Sequence, residues 1–369
     1  MDYRRLPIEI ESPEERGYGS IRCNLTESSV TDATLEDYGV DLSGLTMAYG
    51  DHRGLPELRA AIAADAEGCG PDDVLCAPGA AAALFFVATS VLRAGDHALI
   101  EHTNYSTNLE TPRLIGAEVE PIDLHIADGF RLDVDRVASM VRPATRLISV
   151  TAPHNPTGVD LHLEDLHALV ELAESNGCWL LVDETYREMA RPAPLPVAAS
   201  LSPRAISVSS MSKTYGLPGL RLGWVLNRDP ELAETLLAAK EQIVICGSTL
   251  DEAASAQVLA RRDEHLPRLR AEIERRATIV TDWLAGQGGW LEWVEPTGGV
   301  VCFPRVREEV IADMDRFYEV LNGEFGTFVG EGHWFDTTRH HFRLGYGWPP
   351  VDELEEGLRA LTATADLLR

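Results

Sequence analysis

Lysine is nearly absent from this chain: among 32 basic residues only Lys213 and Lys240 are lysines. Any chemistry that needs a lysine amine therefore has two candidates. Cysteine is sparse and scattered, with Cys23, Cys69, Cys76, Cys178, Cys246 and Cys302 forming no C-x-x-C pair. These read as reduced, buried thiols of a cytoplasmic protein, not as a disulfide framework or a zinc site. Positive charge is outweighed: 59 acidic residues bring the formal net charge to −27. Such a surface repels phosphate backbones, which argues against nucleic-acid binding. Long apolar runs are missing too. The longest, Ala80 to Leu92, falls short of the ~20 residues a bilayer requires. No basic segment followed by an apolar stretch opens the sequence, so neither a membrane span nor secretion is expected. In that setting the sequon Asn24-Leu25-Thr26 carries no meaning.

What is present is an ordinary globular balance, 45% apolar and 25% charged over 369 residues, enough for about two domains. From about 55 to 226, helix-like and strand-like segments alternate. The expected helices include Pro56–Gly68, the run after Gly79, 107–116, 133–141 and 163–177. Between them lie short apolar strands at VLCAP, DHALIEH, AEVEPIDL, RLISVTAP, CWLLVDE and AISVSS. Apolar strands alternating with helices indicate an α/β domain, a mainly parallel sheet with helices on both faces. Beyond 226 the pattern shifts. Helices are expected at Pro230–Val244, Leu250–Arg261, Leu266–Gly286, Ile311–Leu321 and Val351–Leu368, with strands at WLEWVEP, VVCFP and HFRLGY. That is a smaller α+β unit. No internal repeat or low-complexity linker occurs.

Three segments hold residues suited to chemistry. SSMSKTYGLPGLRLGW carries Ser210, Lys213 and Arg221; APHNPTG carries Asn155; VDETY carries Asp183 and Tyr186. Each follows a strand, and ligands of open parallel sheets bind outside the carboxyl ends of strands. Singly, Asp183 reads equally as a helix cap and Asn155-Pro156 as a turn. An S-x-x-K acyl enzyme with Ser210 as nucleophile would also need S-D-N and K-T-G, and neither is present. Lysine at 213 is explained by what arginine cannot do, since only the amine forms a Schiff base. No H-E-x-x-H occurs: His162 and His167 are wrongly spaced for a metal pair, and adjacent His340 and His341 would face opposite ways in a strand. No G-x-G-x-x-G follows a strand, so a nicotinamide enzyme lacks support.

Together, HNPTG, DETY and SMSKTYGLPGLRLG resemble the signature segments of the class I/II aminotransferases, in the fold-type I pyridoxal phosphate (PLP) superfamily. The resemblance is strongest from Tyr49 to Leu226, looser through PTGGVVCFPR and HFRLGYG, and faint over the first 40 residues. It implies a PLP-dependent transferase fold with a seven-stranded sheet, a large domain at 45–265, and a small domain formed by 1–44 with 266–369. It implies that Lys213 holds the cofactor as a Schiff base and moves the Cα proton, and that Asp183 pairs with the pyridine nitrogen. Asn155 and Tyr186 would donate to the phenolic oxygen. Arg221, Ser210 and the helix start at Gly79, Ala80 and Ala81 would hold the phosphate. A hydroxyl that many relatives place in that helix start is replaced here by Ala80 and Ala81. Tyr105 would stack on the ring, Arg343 would clamp the substrate carboxylate, and Tyr49 would complete the neighbouring site of a homodimer. His154 reads as structural at least as readily as part of the site.

The implied reaction moves an amino group from an α-amino acid to a 2-oxo acid. The same fold also hosts lyases, cyclases and oxidases. The segment CNLTESSVTDATL looks closer to enzymes acting on arginine-like substrates, such as capreomycidine synthase, with Glu27 and Asp32 able to receive a cationic side chain. A non-catalytic PLP-sensing regulator would carry a basic DNA-binding domain before the fold, and would not need Lys213.

The acid excess resembles that of salt-adapted or high-GC organisms, and it generates a prediction. Self-repulsion is screened as the Debye length falls from about 10 Å at 0.1 M salt to about 3 Å at 1 M. The melting temperature should therefore rise between low and molar KCl; a flat or falling curve contradicts a halophilic surface.

Overall fold

The computed structural model describes residues 3–369. Its larger sheet has seven strands, in the spatial order Val74–Ala77, Gly223–Leu226, Ala205–Ser210, Trp179–Asp183, Thr145–Thr151, His97–His102, Glu118–Asp123. Gly223–Leu226 runs antiparallel to both neighbours, and the other adjacent pairs are parallel. Both faces are apolar, because successive residues point to opposite sides. Ala98, Ile100, Leu147 and Leu181 join one core with Leu84, Phe86 and Val87 of helix Gly79–Val91. Leu99, Ile148, Leu180 and Val182 join the other with Leu166, Leu169 and Ala173 of helix Leu163–Asn176. This double burial explains why the strands read as unbroken apolar runs.

A second sheet of four strands has the order Cys23–Leu25, Thr327–Glu331, Phe342–Gly345, Val301–Cys302. Cys23–Leu25 pairs parallel with Thr327–Val329, while Phe342–Gly345 runs antiparallel to both of its neighbours. Helices Met314–Gly323 and Val351–Leu368 supply buried Phe317, Leu321, Leu354, Leu358 and Leu361 to its core. The chain ends thus combine: a strand near residue 25 is built into a sheet whose other strands lie beyond residue 300.

Several elements differ from the sequence reading. The helix opening at Pro56 stops at Ala63, and that opening at Pro230 stops at Glu241. The long helix spans Arg262–Ala285, starting before the expected Leu266 and carrying Pro267 inside it. Asp263 and Glu264 in its first turn suit the positive end of the helix dipole and set the earlier start. The Ile311–Leu321 helix is shifted to Met314–Gly323, where the Asp313 side chain accepts from the Arg316 N–H as a cap. WLEWVEP yields only the two-residue strand Leu291–Glu292, because its partner Arg305–Val306 is equally short. Helices Pro7–Glu11 and Pro13–Arg16 and strands Cys23–Leu25 and Thr327–Glu331 were not expected from the sequence. Among the described residues no helix is long and apolar enough to cross a membrane.

Candidate active site

The parallel strands deliver their carboxyl ends to one cavity of about 370 Å³. Thr151 and Asp183 are the last residues of their strands. Asn155, Tyr186 and Lys213 lie in the loops that follow, and all five line the cavity. Ser210, Arg221, Ala80, Ala81, Tyr105 and Arg343 line it as well. Gly79 sits directly behind, opening helix Gly79–Val91, whose N-terminus has no side-chain cap. Tyr49 does not reach this cavity: it is 87% exposed on the loop before Pro56.

One end of the cavity is built for an anion. An uncapped helix start presents free N–H groups and the positive end of the dipole. Arg221 lies so close that a Cβ on Gly79, whose φ is +82°, would meet its Nη2 at 2.7 Å. Glycine there permits both the left-handed backbone and the close approach. Gly223 is equally constrained, since a Cβ would meet the Ala80 nitrogen at 2.6 Å. Ser210 and Ser212 border the same end. The fixed geometry suits a phosphate dianion.

The remaining charges are desolvated. Burial drives the Lys213 amine below its ordinary pKa, with Glu27 the main opposing influence. A greater cost of charging means a larger neutral, nucleophilic fraction. Burial raises the Asp183 pKa, against hydrogen bonds from the Thr185 hydroxyl (2.6 Å) and backbone N–H (3.1 Å) to Oδ1. A cationic ring nitrogen beside this carboxylate would restore its charge. Arg343 is 5% exposed. Its Nη1 donates to Asn155 Oδ1 (3.1 Å), its Nη2 to the Thr26 carbonyl (2.6 Å), and its guanidinium lies 4.9 Å from the Phe335 ring centre. Its Nε has no partner. Cation, carboxylate and anion cup together fit PLP: the cup would hold its phosphate, Asp183 would pair with its ring nitrogen and Lys213 would hold its carbonyl carbon.

Sequence reasoning missed the N-terminal wall. Glu9 and Glu14, on the helices Pro7–Glu11 and Pro13–Arg16, line the cavity alongside Glu27. Glu9 accepts from the Ser106 hydroxyl (2.8 Å), and Glu11 Oε2 accepts from the Trp334 indole (2.7 Å), pinning the segment in place. No motif marks these residues, because Ser106 and Trp334, which hold Glu9 and Glu11, lie 97 and 323 positions away. Asp32, expected beside Glu27, is instead an exposed acceptor for the Trp348 indole (2.9 Å) and lies off the cavity. Asn104 was also missed. Its Oδ1 accepts from the Tyr105 N–H (2.7 Å) and from Asn108 Nδ2 (3.0 Å), while its Nδ2 donates to Thr151 Oγ1 (3.1 Å). His154 is a structural residue. It contacts the Thr157 hydroxyl (2.9 Å) and the Thr103 carbonyl (2.7 Å), and burial lowers its pKa to about 4.

The family model for class I and II aminotransferases matches residues 24–361. The chain belongs to that family, and is a PLP-dependent enzyme of the aminotransferase class. It is 29% identical over 314 residues to an arginine–pyruvate transaminase of Pseudomonas aeruginosa, covering 80% of this chain and 77% of that one. It is 28% identical over 324 residues to a capreomycidine synthase of Streptomyces vinaceus, covering 87% and 82%. A PLP-dependent aminotransferase from Streptococcus suis superposes with a TM-score of 0.92 at 26% identity, over 100% of this chain and 99% of that one.

Beneath the cavity, Glu101 is 1% exposed and accepts from the Thr151 N–H (2.7 Å). Burial pushes its pKa up to about 8. At neutral pH it is protonated when folded and ionised when unfolded, so its contribution to stability falls as pH rises from about 4.5 to about 8. Glu101→Gln keeps the acceptor and removes the ionisation. Its melting temperature relative to the parent should climb between pH 5 and pH 8 and level off above; a pH-independent difference contradicts a buried neutral carboxyl.

Proposed function

We propose that this enzyme transfers the amino group of an α-amino acid with a cationic side chain to a 2-oxo acid. The observation that carries this reading is Arg343, a buried guanidinium with an unpartnered Nε in the same cavity as Lys213. A substrate carboxylate would complete it through a charge-assisted contact. Bound PLP supplies a carbonyl that condenses with amines and a ring that draws electrons from the substrate Cα. Lys213 is the residue that would hold the cofactor and carry the proton at the substrate Cα. Asp183 keeps the ring nitrogen protonated, and Thr185 holds that carboxylate in orientation. Asn155 and Tyr186 would donate to the ring oxygen, Tyr105 would lie against the ring, and Arg221, Ser210 and the N–H groups at Gly79, Ala80 and Ala81 would hold the phosphate.

The substrate side chain points to the N-terminal wall in this reading. Glu27 and Glu14 line the cavity and both favour the charged form of Lys213, and in this reading their negative potential faces the side chain of the amino acid. Aspartate would be repelled there and a guanidinium attracted. The relatives named for arginine and capreomycidine chemistry support the same choice. The capreomycidine synthase relative also supports a second reading, in which the same proton removal ends in cyclisation or elimination. We further propose a cytoplasmic homodimer, in which Tyr49 reaches the phosphate of the second copy. Residues 45–265 form the cofactor domain, and 1–44 with 266–369 form the smaller one.

The test is turnover of purified holoenzyme with arginine, lysine, phenylalanine and aspartate, pyruvate being the acceptor. Arginine and lysine should yield 2-oxo acids fastest. Glu27→Gln should raise their KM about 10-fold, the equivalent of about 1.4 kcal/mol, while phenylalanine changes little. Preference for aspartate, or an equal effect on all substrates, contradicts the cationic assignment. An arginine product that keeps its α-nitrogen supports the cyclase reading instead.

A further inference from the structure

The second lysine lies outside the cavity and is fully buried, at 0% exposure. Lys240, in the last turn of helix Pro230–Glu241, donates from Nζ to the His52 carbonyl (2.6 Å). It is one of several grips on a single stretch of chain. Glu252 accepts from the Leu55 N–H (2.7 Å). Arg59 donates to the Gly54 carbonyl (3.0 Å) and to Asp51 (3.2 Å). Glu241 meets the His52 ring (2.6 Å), and the Thr249 hydroxyl donates to the Ala48 carbonyl (2.9 Å). The stretch is also close-packed. A Cβ on Gly54 would sit 2.4 Å from Cys76 Sγ, and one on Gly247 would sit 2.0 Å from Glu252 Oε1.

The outer part of the same loop is unpacked. Tyr49 is 87% exposed and Met47 66%, beside Ile243 at 57% and Ile245 at 49% on the adjoining segment. A loop clamped at its base by a buried charge, with aromatic and apolar residues held out at its tip, is built to present that tip. Burying an ammonium is costly, and a mere filler of this space would be apolar. The choice of lysine in a chain that otherwise uses arginine fits a single carbonyl reached by a slender stem, where a planar fork would need more acceptors.

We infer that Lys240 is a positioning residue that acts across the subunit boundary, fixing the stem from which Tyr49 reaches the cofactor phosphate of a second copy. The inference rests on the two-copy reading proposed above. It implies that loss of Lys240 harms the partner's site and spares its own.

Co-purified mixed dimers test this, with retention of pyridoxal phosphate read from the visible absorbance that only a Lys213-bound cofactor gives. Lys240→Met alone should stay dimeric by sedimentation and hold the cofactor about 10-fold more weakly. Paired with Lys213→Ala, the Lys240→Met subunit receives an intact Tyr49 loop, so its affinity should return to within about twofold of the parent. Unchanged affinity in Lys240→Met, or no recovery in the mixed dimer, overturns the inference. The pair Tyr49→Phe with Lys213→Ala separates the two claims. Recovery there alone means that only the role of Lys240 is wrong, and no recovery in either pair means that the two-copy reading is wrong. Should Lys240→Met fail to fold, Thr249→Val loosens the same stem from its exposed side and must show the same recovery across subunits.

Discussion

A buried guanidinium without a carboxylate partner is the constraint around which this structure is arranged. Arg343 stands on a strand of the smaller sheet, yet bonds to Asn155 in the loop after an interior strand of the larger one and to Thr26 in the N-terminal segment. Three parts of the chain distant in sequence thus meet at one cation. Desolvating such a charge is expensive unless an anion completes it. Lys213 is desolvated in the same cavity, and Arg221 with an uncapped helix start closes the other end. A chain of net charge −27 therefore sets three of its cations, Lys213, Arg221 and Arg343, around one cavity, where field lines focus on anionic groups.

Acids line the same cavity. Glu9, Glu14 and Glu27 come from residues folded over the cavity and fastened there through Ser106 and Trp334. In the proposed reading, a substrate carrying both a carboxylate and a cation would meet both kinds of charge in this cavity. Specificity of this kind depends on repulsion as much as on attraction, since a second carboxylate would face the acids.

The chemistry was more legible in the sequence than the selectivity. Asn155, Asp183, Tyr186 and Lys213 each follow an apolar strand, and in a parallel sheet that alone places them at one end. Arg221 was read through the family resemblance, and the structure sets it against Gly79 at a helix start. Glu9, Glu14 and Asn104 could not, because nothing local distinguishes a cavity-lining residue from a solvated one. Asp32 shows the converse: it shares a segment with Glu27, yet the chain turns it to Trp348. Strand Cys23–Leu25 escaped notice because its parallel partner begins at Thr327, a pairing with no trace in local periodicity. Lys240 was visible as a rarity, but its function depends on a contact 188 positions away.

The central claim is that Arg343 receives the substrate carboxylate while the cofactor is held elsewhere. Its most direct test is Arg343→Ala, compared with the parent on an amino acid and on the matching amine that lacks the carboxylate. The account predicts normal cofactor absorbance and an amino-acid kcat/KM lowered roughly 30- to several-thousand-fold, from the loss of about 2–5 kcal/mol, with the slow reaction of the amine little changed. Equal losses for both compounds, or loss of the cofactor, would contradict it.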